Sequence, residues 1–76
     1  MKNQYTNLYY ELERRGISTE EFAVKVFTTA RSIKNWYNGK ENGGTVPPRQ
    51  TQNLIAEVLE IPKGEVSGLF EFGEKK

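Results

Sequence analysis

Apolar residues recur along this chain at steps of three and four, the spacing that places them on one face of an α-helix. In the first such segment they include Leu8 and Leu12, and in the third they include Ile33 and Trp36. No segment alternates apolar and polar residues as a half-buried β-strand does. The pattern predicts five helices, over residues 5–15, 18–26, 30–37, 48–61 and 63–70. We therefore predict an all-α protein with a single domain over residues 1–71 and a frayed tail over residues 72–76.

Residues suited to helix ends lie at the borders of these segments. Ser18 followed by Glu21 is a capping box, in which the serine side chain accepts a hydrogen bond from the amide three residues later. Thr29 suits the same position before the third helix, and Gly16 follows the last residues of the first. Residues 40–47 contain two glycines and an Asn-Gly step, which predicts a flexible loop or a small hairpin.

The amino-acid composition by itself excludes several classes of functional site. The 76 residues include neither cysteine nor histidine, which excludes disulfides, thiolate or imidazole metal sites and a histidine-based catalytic triad. An enzyme could act only through carboxylates such as Glu20 and Glu21, and the start of a helix already accounts for those two. We therefore expect no enzymatic activity, no metal and no cofactor.

Hydropathy and length point to a small protein away from membranes. Apolar runs fall far short of the roughly 18 residues that a membrane-spanning helix needs. The polar start, Met1 to Gln4, lacks the apolar core of a signal peptide. These features predict a cytoplasmic protein with no ligand domain, so we expect neither a membrane nor a small molecule as its partner.

The net charge of +1 conceals an uneven distribution along the chain. Residues 31–49 carry an excess of three positive charges, and residues 50–76 carry an excess of two negative charges. The cations of the first stretch are Arg31, Lys34, Lys40 and Arg49. Such a stretch is typical either of a surface that binds nucleic acid or of an ordinary solvated surface.

The second and third predicted helices form a pair with a known use. Two short helices joined by a tight turn, the second displaying polar and basic residues, can enter the major groove of DNA. Ala23 permits close approach of the two helices, and Ile33 and Trp36 anchor the second one to the core. Trp36 could alternatively stack on bases of a single strand, but its helical spacing from Ile33 favours the core.

Residues 18–23 (Ser-Thr-Glu-Glu-Phe-Ala) and 32–40 (Ser-Ile-Lys-Asn-Trp-Tyr-Asn-Gly-Lys) are similar to the helix-turn-helix of the Cro and phage-repressor family, also called the xenobiotic-response-element-like family. Residues 55–62 look like that family's fourth helix. The resemblance covers about residues 5–70 and implies a five-helix, lambda-repressor-like DNA-binding domain with its motif at about residues 18–38.

Two features of the chain depart from the family's pattern. Phe27 stands in the turn where the family usually has glycine, which implies either a differently bent turn or a buried apolar residue. The loop over residues 41–47 is longer than the family's usual connection, which implies a contact with the DNA backbone or a tolerated insertion.

The resemblance also implies roles for individual residues. It assigns base contacts to the exposed positions of the second motif helix, which here are Thr29, Ala30, Arg31, Ser32 and Asn35. It assigns phosphate contacts to Thr19, Lys34, Asn38 and Lys40. Arg31 suits guanine O6 and N7, Asn35 suits adenine, and Ala30 suits the methyl group of thymine.

These observations lead to one functional hypothesis and one alternative. The first is a Cro- or repressor-like transcriptional regulator that occupies an operator in double-stranded DNA as a homodimer. Apolar residues near the C-terminus are the candidates for the dimer interface: Val66, Leu69, Phe70 and Phe72. The alternative is a helix-turn-helix module that binds a protein partner, in the manner of an antirepressor or an antitoxin.

Overall fold

Four α-helices and two 3₁₀ segments make up the regular structure of residues 3–73, the part of the chain that the computed structural model describes. The α-helices are α1 (Asn7–Arg15), α2 (Thr19–Lys25), α3 (Ala30–Asn38) and α4 (Arg49–Leu59). A 3₁₀ turn spans Lys40–Asn42, and a 3₁₀ helix spans Lys63–Phe70. No residue between 3 and 73 lies in a β-strand, so the predicted all-α class is confirmed.

The predicted fifth helix lies over the expected residues but winds as a 3₁₀ helix. Gly64 and Gly68 lower the propensity of this segment for the α-helix. The buried residues Val66 and Leu69 are three positions apart, which matches the three residues per turn of a 3₁₀ helix.

One hydrophobic core is shared by the four α-helices and the C-terminal 3₁₀ helix. Trp36 lies within it, 5% exposed, with its ring edge-on to Phe70 at a centroid distance of 6.5 Å, so its predicted place in the core is confirmed. Val66 and Leu69 are buried there as well. Three of the four residues predicted for a dimer interface therefore pack inside the protomer, because the 3₁₀ helix covers the core with them. Phe72 is half-buried.

The starts of α2 and α3 follow the sequence prediction. The side chain of Ser18 accepts a hydrogen bond from the Glu21 amide at 3.1 Å, and that of Thr29 accepts one from the Ser32 amide at 3.2 Å. Helix α1 begins at Asn7 instead of Tyr5, because extended backbone at Thr6 directs that residue toward α3.

The turn between α2 and α3 is closed by two backbone hydrogen bonds. The amide of Thr28 donates to the carbonyl of Ala23 at 2.9 Å, and the amide of Phe27 donates to the carbonyl of Val24 at 3.3 Å. This pair is a Schellman motif, which needs a residue with positive φ between helix and turn. Phe27 fills that position with φ of 55° and a side chain that is 86% exposed. Of the two outcomes that the sequence left open, the buried apolar residue is wrong, because the left-handed backbone turns the ring into solvent.

We expect Phe27→Gly to raise the free energy of unfolding by about 0.5 to 1 kcal/mol. A side chain in the left-handed region costs about 1 to 2 kcal/mol, and the greater freedom of glycine in the unfolded chain offsets part of the gain. Urea denaturation of Phe27→Gly beside Phe27→Ala isolates the backbone effect, since alanine removes the ring but keeps the Cβ. Equal free energies of unfolding for Phe27→Gly and Phe27→Ala would show that the backbone at residue 27 is not strained.

The C-terminus of α3 is bound by two distant segments. The hydroxyl of Thr6 donates to the carbonyl of Trp36 at 2.9 Å, and the amide of Thr6 donates to the carbonyl of Tyr37 at 2.8 Å. From the other side, the amide of Thr45 donates to the carbonyl of Asn35 at 3.2 Å. Carbonyls in the last turn of a helix have no partner within the helix, so Thr6 supplies donors to two of them, and the Asn35 carbonyl accepts from the amide of Thr45 as well as from that of Gly39.

The loop after α3 packs against the end of that helix and forms no hairpin. It contains the 3₁₀ turn, and the amide of Gly44 donates to the carbonyl of Gly39 at 2.8 Å. Gly44 lies so close to α3 that a Cβ at this position would be 2.1 Å from the carbonyl oxygen of Asn35. The predicted hairpin is therefore wrong, and Gly44 lets this segment pack against the end of α3.

The two ends of the described chain pair with each other. The amide of Asn3 donates to the carbonyl of Gly73 at 2.9 Å, and the amide of Asn7 donates to the carbonyl of Glu71 at 2.9 Å. Phe72 and Gly73, the described part of the predicted frayed tail, thus lie next to the N-terminal segment. Residues 74–76 of that tail lie outside the described residues.

Candidate nucleic-acid interface

Helix α3 presents a polar and basic face to solvent because its apolar stripe is turned into the core. Ile33 and Trp36 are buried, whereas Arg31, Lys34 and Asn35 are exposed. The sequence predicted the last three for contacts with bases or phosphates, and exposure is what such contacts require. Side chains with guanidinium, ammonium and amide groups on one helix offer the donors that DNA base edges and phosphates accept.

The first turn of α3 carries the other three residues predicted to read bases. Thr29 is exposed, and Ala30 and Ser32 are half-buried. The Thr29 hydroxyl accepts from the amide of Ser32 and donates to the Ser32 hydroxyl at 3.2 Å. The hydroxyls of Thr29 and Ser32 are therefore already engaged at the N-cap of α3. A base contact by either residue would have to use the hydrogen-bonding capacity that the cap leaves free.

Three of the four residues predicted to bind phosphate line one cavity of about 290 Å³, which we call the tyrosine cavity. Its lining comprises Thr19, Lys34, Asn38, Tyr5, Tyr9 and Tyr37. The hydroxyls of Thr19 and Tyr37 are hydrogen-bonded at 3.0 Å, which links the start of α2 to the side of α3. Residues with an ammonium, an amide and several hydroxyl groups thus line one cavity beside α3, and such groups can donate to a phosphate, while the carboxylate of Glu13 near Tyr9 opposes an anion there.

The tyrosines of this cavity were not predicted to belong to the site. Burial is the main cause that raises the pKa of the Tyr37 hydroxyl, and the nearby carboxylate of Glu13 is the main cause that raises the pKa of Tyr9. Both hydroxyls therefore keep their protons at neutral pH. The ring centroids of Tyr9 and Tyr37 are 5.2 Å apart, in edge-on contact. The spacing of these residues along the chain gives no sign of where their hydroxyls point.

Lys40, the fourth residue predicted to bind phosphate, lies away from the tyrosine cavity. It is exposed at the start of the 3₁₀ turn and lines a different cavity, which also contains Glu41, Glu71 and Phe72. The two carboxylates in that lining disfavour a phosphate there. The structure therefore does not bring Lys40 together with the other three.

The charge around α3 has one sign over a long stretch of chain. Between residues 22 and 40 the sequence has four cations and no carboxylate: Lys25, Arg31, Lys34 and Lys40. The nearest acidic residues before this stretch, Glu20 and Glu21, are exposed in the first turn of α2. On α1, Arg14 and Arg15 both pair with Glu11, the latter at 2.6 Å, and neither belongs to the predicted site.

Comparison of the chain with protein-family models, with curated proteins and with solved structures finds no match in any of the three. Among the helices of residues 3–73, none has the length and apolar character needed to cross a membrane.

Proposed function

We propose that this protein is a sequence-specific DNA-binding regulator of transcription, in which α3 is the recognition helix and α2 the first helix of a lambda-repressor-like helix-turn-helix. The observation that carries the proposal is the face of α3, where Arg31, Lys34 and Asn35 are exposed together within a stretch that lacks carboxylates. A surface of this kind attracts the DNA backbone and can read bases in the major groove.

The two ends of α3 support this role because each is held by contacts outside the helix. Thr29 caps its start, and Thr6 and the segment around Gly44 bind its last carbonyls. A recognition helix must present its side chains in a fixed register along the groove, since a base contact tolerates little displacement. A helix of only nine residues gains that rigidity from its surroundings.

Each polar side chain of this surface then has a chemical task. Arg31 donates two hydrogen bonds to O6 and N7 of guanine, and Asn35 pairs with adenine. Lys34 and Asn38, together with the Thr19 hydroxyl, bind a backbone phosphate at the tyrosine cavity. The alanine at position 30 contributes a small apolar contact to a thymine methyl group.

A homodimer on a two-fold symmetric site is part of this proposal. One copy offers few phosphate contacts, so its affinity at physiological salt would be weak, and two copies on adjacent half-sites multiply it. Val66, Leu69 and Phe70 are buried in the protomer, so among the four residues predicted for the interface only Phe72, which is half-buried, has surface left for a second copy. The spacing of half-sites in selected DNA measures the stoichiometry directly.

Selection of bound duplexes from a random DNA pool, followed by titration of the selected duplex, tests the proposal. We expect Arg31→Ala to weaken binding to that duplex about tenfold and to relax the preference at one base pair, because one bidentate contact is lost. Lys34→Ala should weaken binding to all duplexes alike and lower the salt slope by about one, as expected for a single phosphate contact.

Arg14→Ala is the matched control for Arg31→Ala, because it removes a cation that is paired with Glu11 on α1. It should leave the selected site and its affinity unchanged. If every duplex binds only in the non-specific range of about 10⁻⁴ to 10⁻⁶ M and Arg31→Ala changes nothing, the proposal fails. The exposed side chains of Val24 and Phe27 would then favour a protein partner instead.

A further inference from the structure

The side chain of Phe27 is the feature of this fold that core packing leaves unexplained. It is 86% exposed, so it contributes almost nothing to the hydrophobic core. Its backbone has φ of 55°, where any residue with a Cβ is strained and glycine is favoured. The chain thus carries a large aromatic ring at a position where both burial and backbone geometry would favour a smaller residue.

The position of Phe27 limits what the ring can contact. It follows α2 in the Schellman turn and precedes Thr29, the N-cap of α3, by two residues. When a recognition helix enters the major groove, its N-terminal residues approach the base edges, so the preceding turn lies at the rim of the groove. The ring is therefore presented at the end of α3 that would meet DNA.

Charge on the surrounding chain favours DNA over a basic or neutral partner. Phe27 lies within residues 22–40, where Lys25 and Arg31 are its nearest charged neighbours in sequence and no carboxylate occurs. A polyanion is the complement of such a stretch. The apolar group that DNA displays in its major groove is the methyl group of thymine, and phenylalanine is among the side chains that contact it.

We propose that Phe27 is a specificity residue that packs its ring against a thymine methyl group at the edge of the half-site. This inference rests on the proposed DNA-binding function and adds a contact that lies outside α3. It also accounts for phenylalanine at this position, because glycine would relieve the backbone strain of the turn but could not contact a base.

The test uses the duplex selected from a random pool, with each thymine replaced in turn by deoxyuridine, which lacks only the methyl group. For the wild-type protein we expect one position per half-site, outside the bases that α3 contacts, to lose about fourfold in affinity, the effect of one buried methyl group. Phe27→Gly should bind the unmodified duplex about tenfold more weakly while being more stable to urea. The same variant should be insensitive to deoxyuridine at that position.

Two controls make the result specific to the ring. Phe27→Tyr keeps an aromatic ring and should retain both the affinity and the response to deoxyuridine. Val24→Ala removes a different exposed apolar side chain, 76% exposed on α2, and should bind like the wild type. Because Phe27→Gly is expected to gain stability, its loss of affinity cannot be attributed to unfolding.

The outcomes separate this inference from the function on which it rests. If the wild-type protein selects no sequence, the proposed function fails, and retention of a protein partner by wild type but not by Phe27→Gly would assign the ring to that partner. If the wild-type protein selects a sequence and Phe27→Gly binds it equally well, only the inference is overturned. A loss of affinity in Phe27→Gly without any coupling to a thymine methyl would also overturn it.

Discussion

Replacing Gly44 by alanine should lower the free energy of unfolding by about 3 kcal/mol, the largest effect that we predict for a single added methyl group. A Cβ on residue 44 would be 2.1 Å from the carbonyl oxygen of Asn35, 2.9 Å from Cβ of Asn38 and 3.0 Å from the amide nitrogen of Gly39. Two of these atoms belong to the backbone of a packed segment, so they cannot rotate away as the tip of a long side chain can. Overpacking usually costs about 1 to 3 kcal/mol, and contacts this short place the cost at the upper end of that range.

Gly64→Ala is the matched control for this substitution. Residue 64 has no atom within 4 Å of the added Cβ, so alanine there meets open space. We expect the stability of Gly64→Ala to lie within about 0.5 kcal/mol of the wild type, as for most exposed substitutions. Urea denaturation followed by circular dichroism compares the two, and a Gly44→Ala protein as stable as Gly64→Ala would show that the loop does not pack against α3 as described.

The Gly44 substitution also bears on DNA binding through the end of α3. The loop contributes the Thr45 amide to the Asn35 carbonyl, and Asn35 is one of the residues proposed to read a base. Displacing the loop would remove one of the two amides that donate to that carbonyl, the other being that of Gly39, and would loosen the last turn of α3. We therefore expect folded Gly44→Ala protein to lose discrimination at the base pair assigned to Asn35 before it loses its general affinity for DNA.

Local signals in the sequence were enough to predict where the helices of the candidate site begin. Ser18 and Thr29 act as caps because their side chains bond to amides three residues later, an interaction that short-range sequence contains in full. The exposure of Arg31 and Lys34 could likewise be predicted, since the apolar stripe of α3 determines which side chains face away from the core. Those predictions needed no knowledge of how the helices pack.

Features that depend on contacts between distant segments could not be predicted in the same way. Thr6 is 30 residues from the carbonyl that its hydroxyl binds, and nothing in the residues around it indicates that partner. The same holds for the tyrosine cavity, where Tyr5 from the segment before α1 meets Lys34 from α3. Periodicity assigns a residue to a face of its own helix but does not say which atoms of another segment lie opposite.

Phe27 illustrates a prediction that failed for a different reason. An apolar residue in place of glycine left two outcomes open, a differently bent turn or a buried side chain, and burial was one of them because apolar side chains usually gain from leaving water. The backbone of the Schellman turn overrides that preference, since its hydrogen bonds require positive φ at this position and so direct the ring outward. Conflict between a local preference and the tertiary structure is expected most often at functional positions.

The second large effect is expected for Thr6→Val, which should lower the free energy of unfolding by about 2 kcal/mol. Thr6 is fully buried, and its hydroxyl donates to the carbonyl of Trp36 at 2.9 Å. Valine has nearly the same shape and keeps the backbone amide bond to Tyr37, so the substitution removes one donor and little packing. The carbonyl of Trp36 would then lose this donor, and a buried polar group left unpaired costs about 1 to 3 kcal/mol.

Thr45→Val provides the comparison, because its side chain is exposed while its amide also binds the end of α3. That variant should stay within about 0.5 kcal/mol of the wild type in the same urea titration. A Thr6→Val protein as stable as Thr45→Val would mean that the hydroxyl contributes nothing to the end of α3. If the loss is found, the stability of α3 depends partly on a residue outside α2 and α3, because Thr6 joins the start of α1 to the last turn of α3.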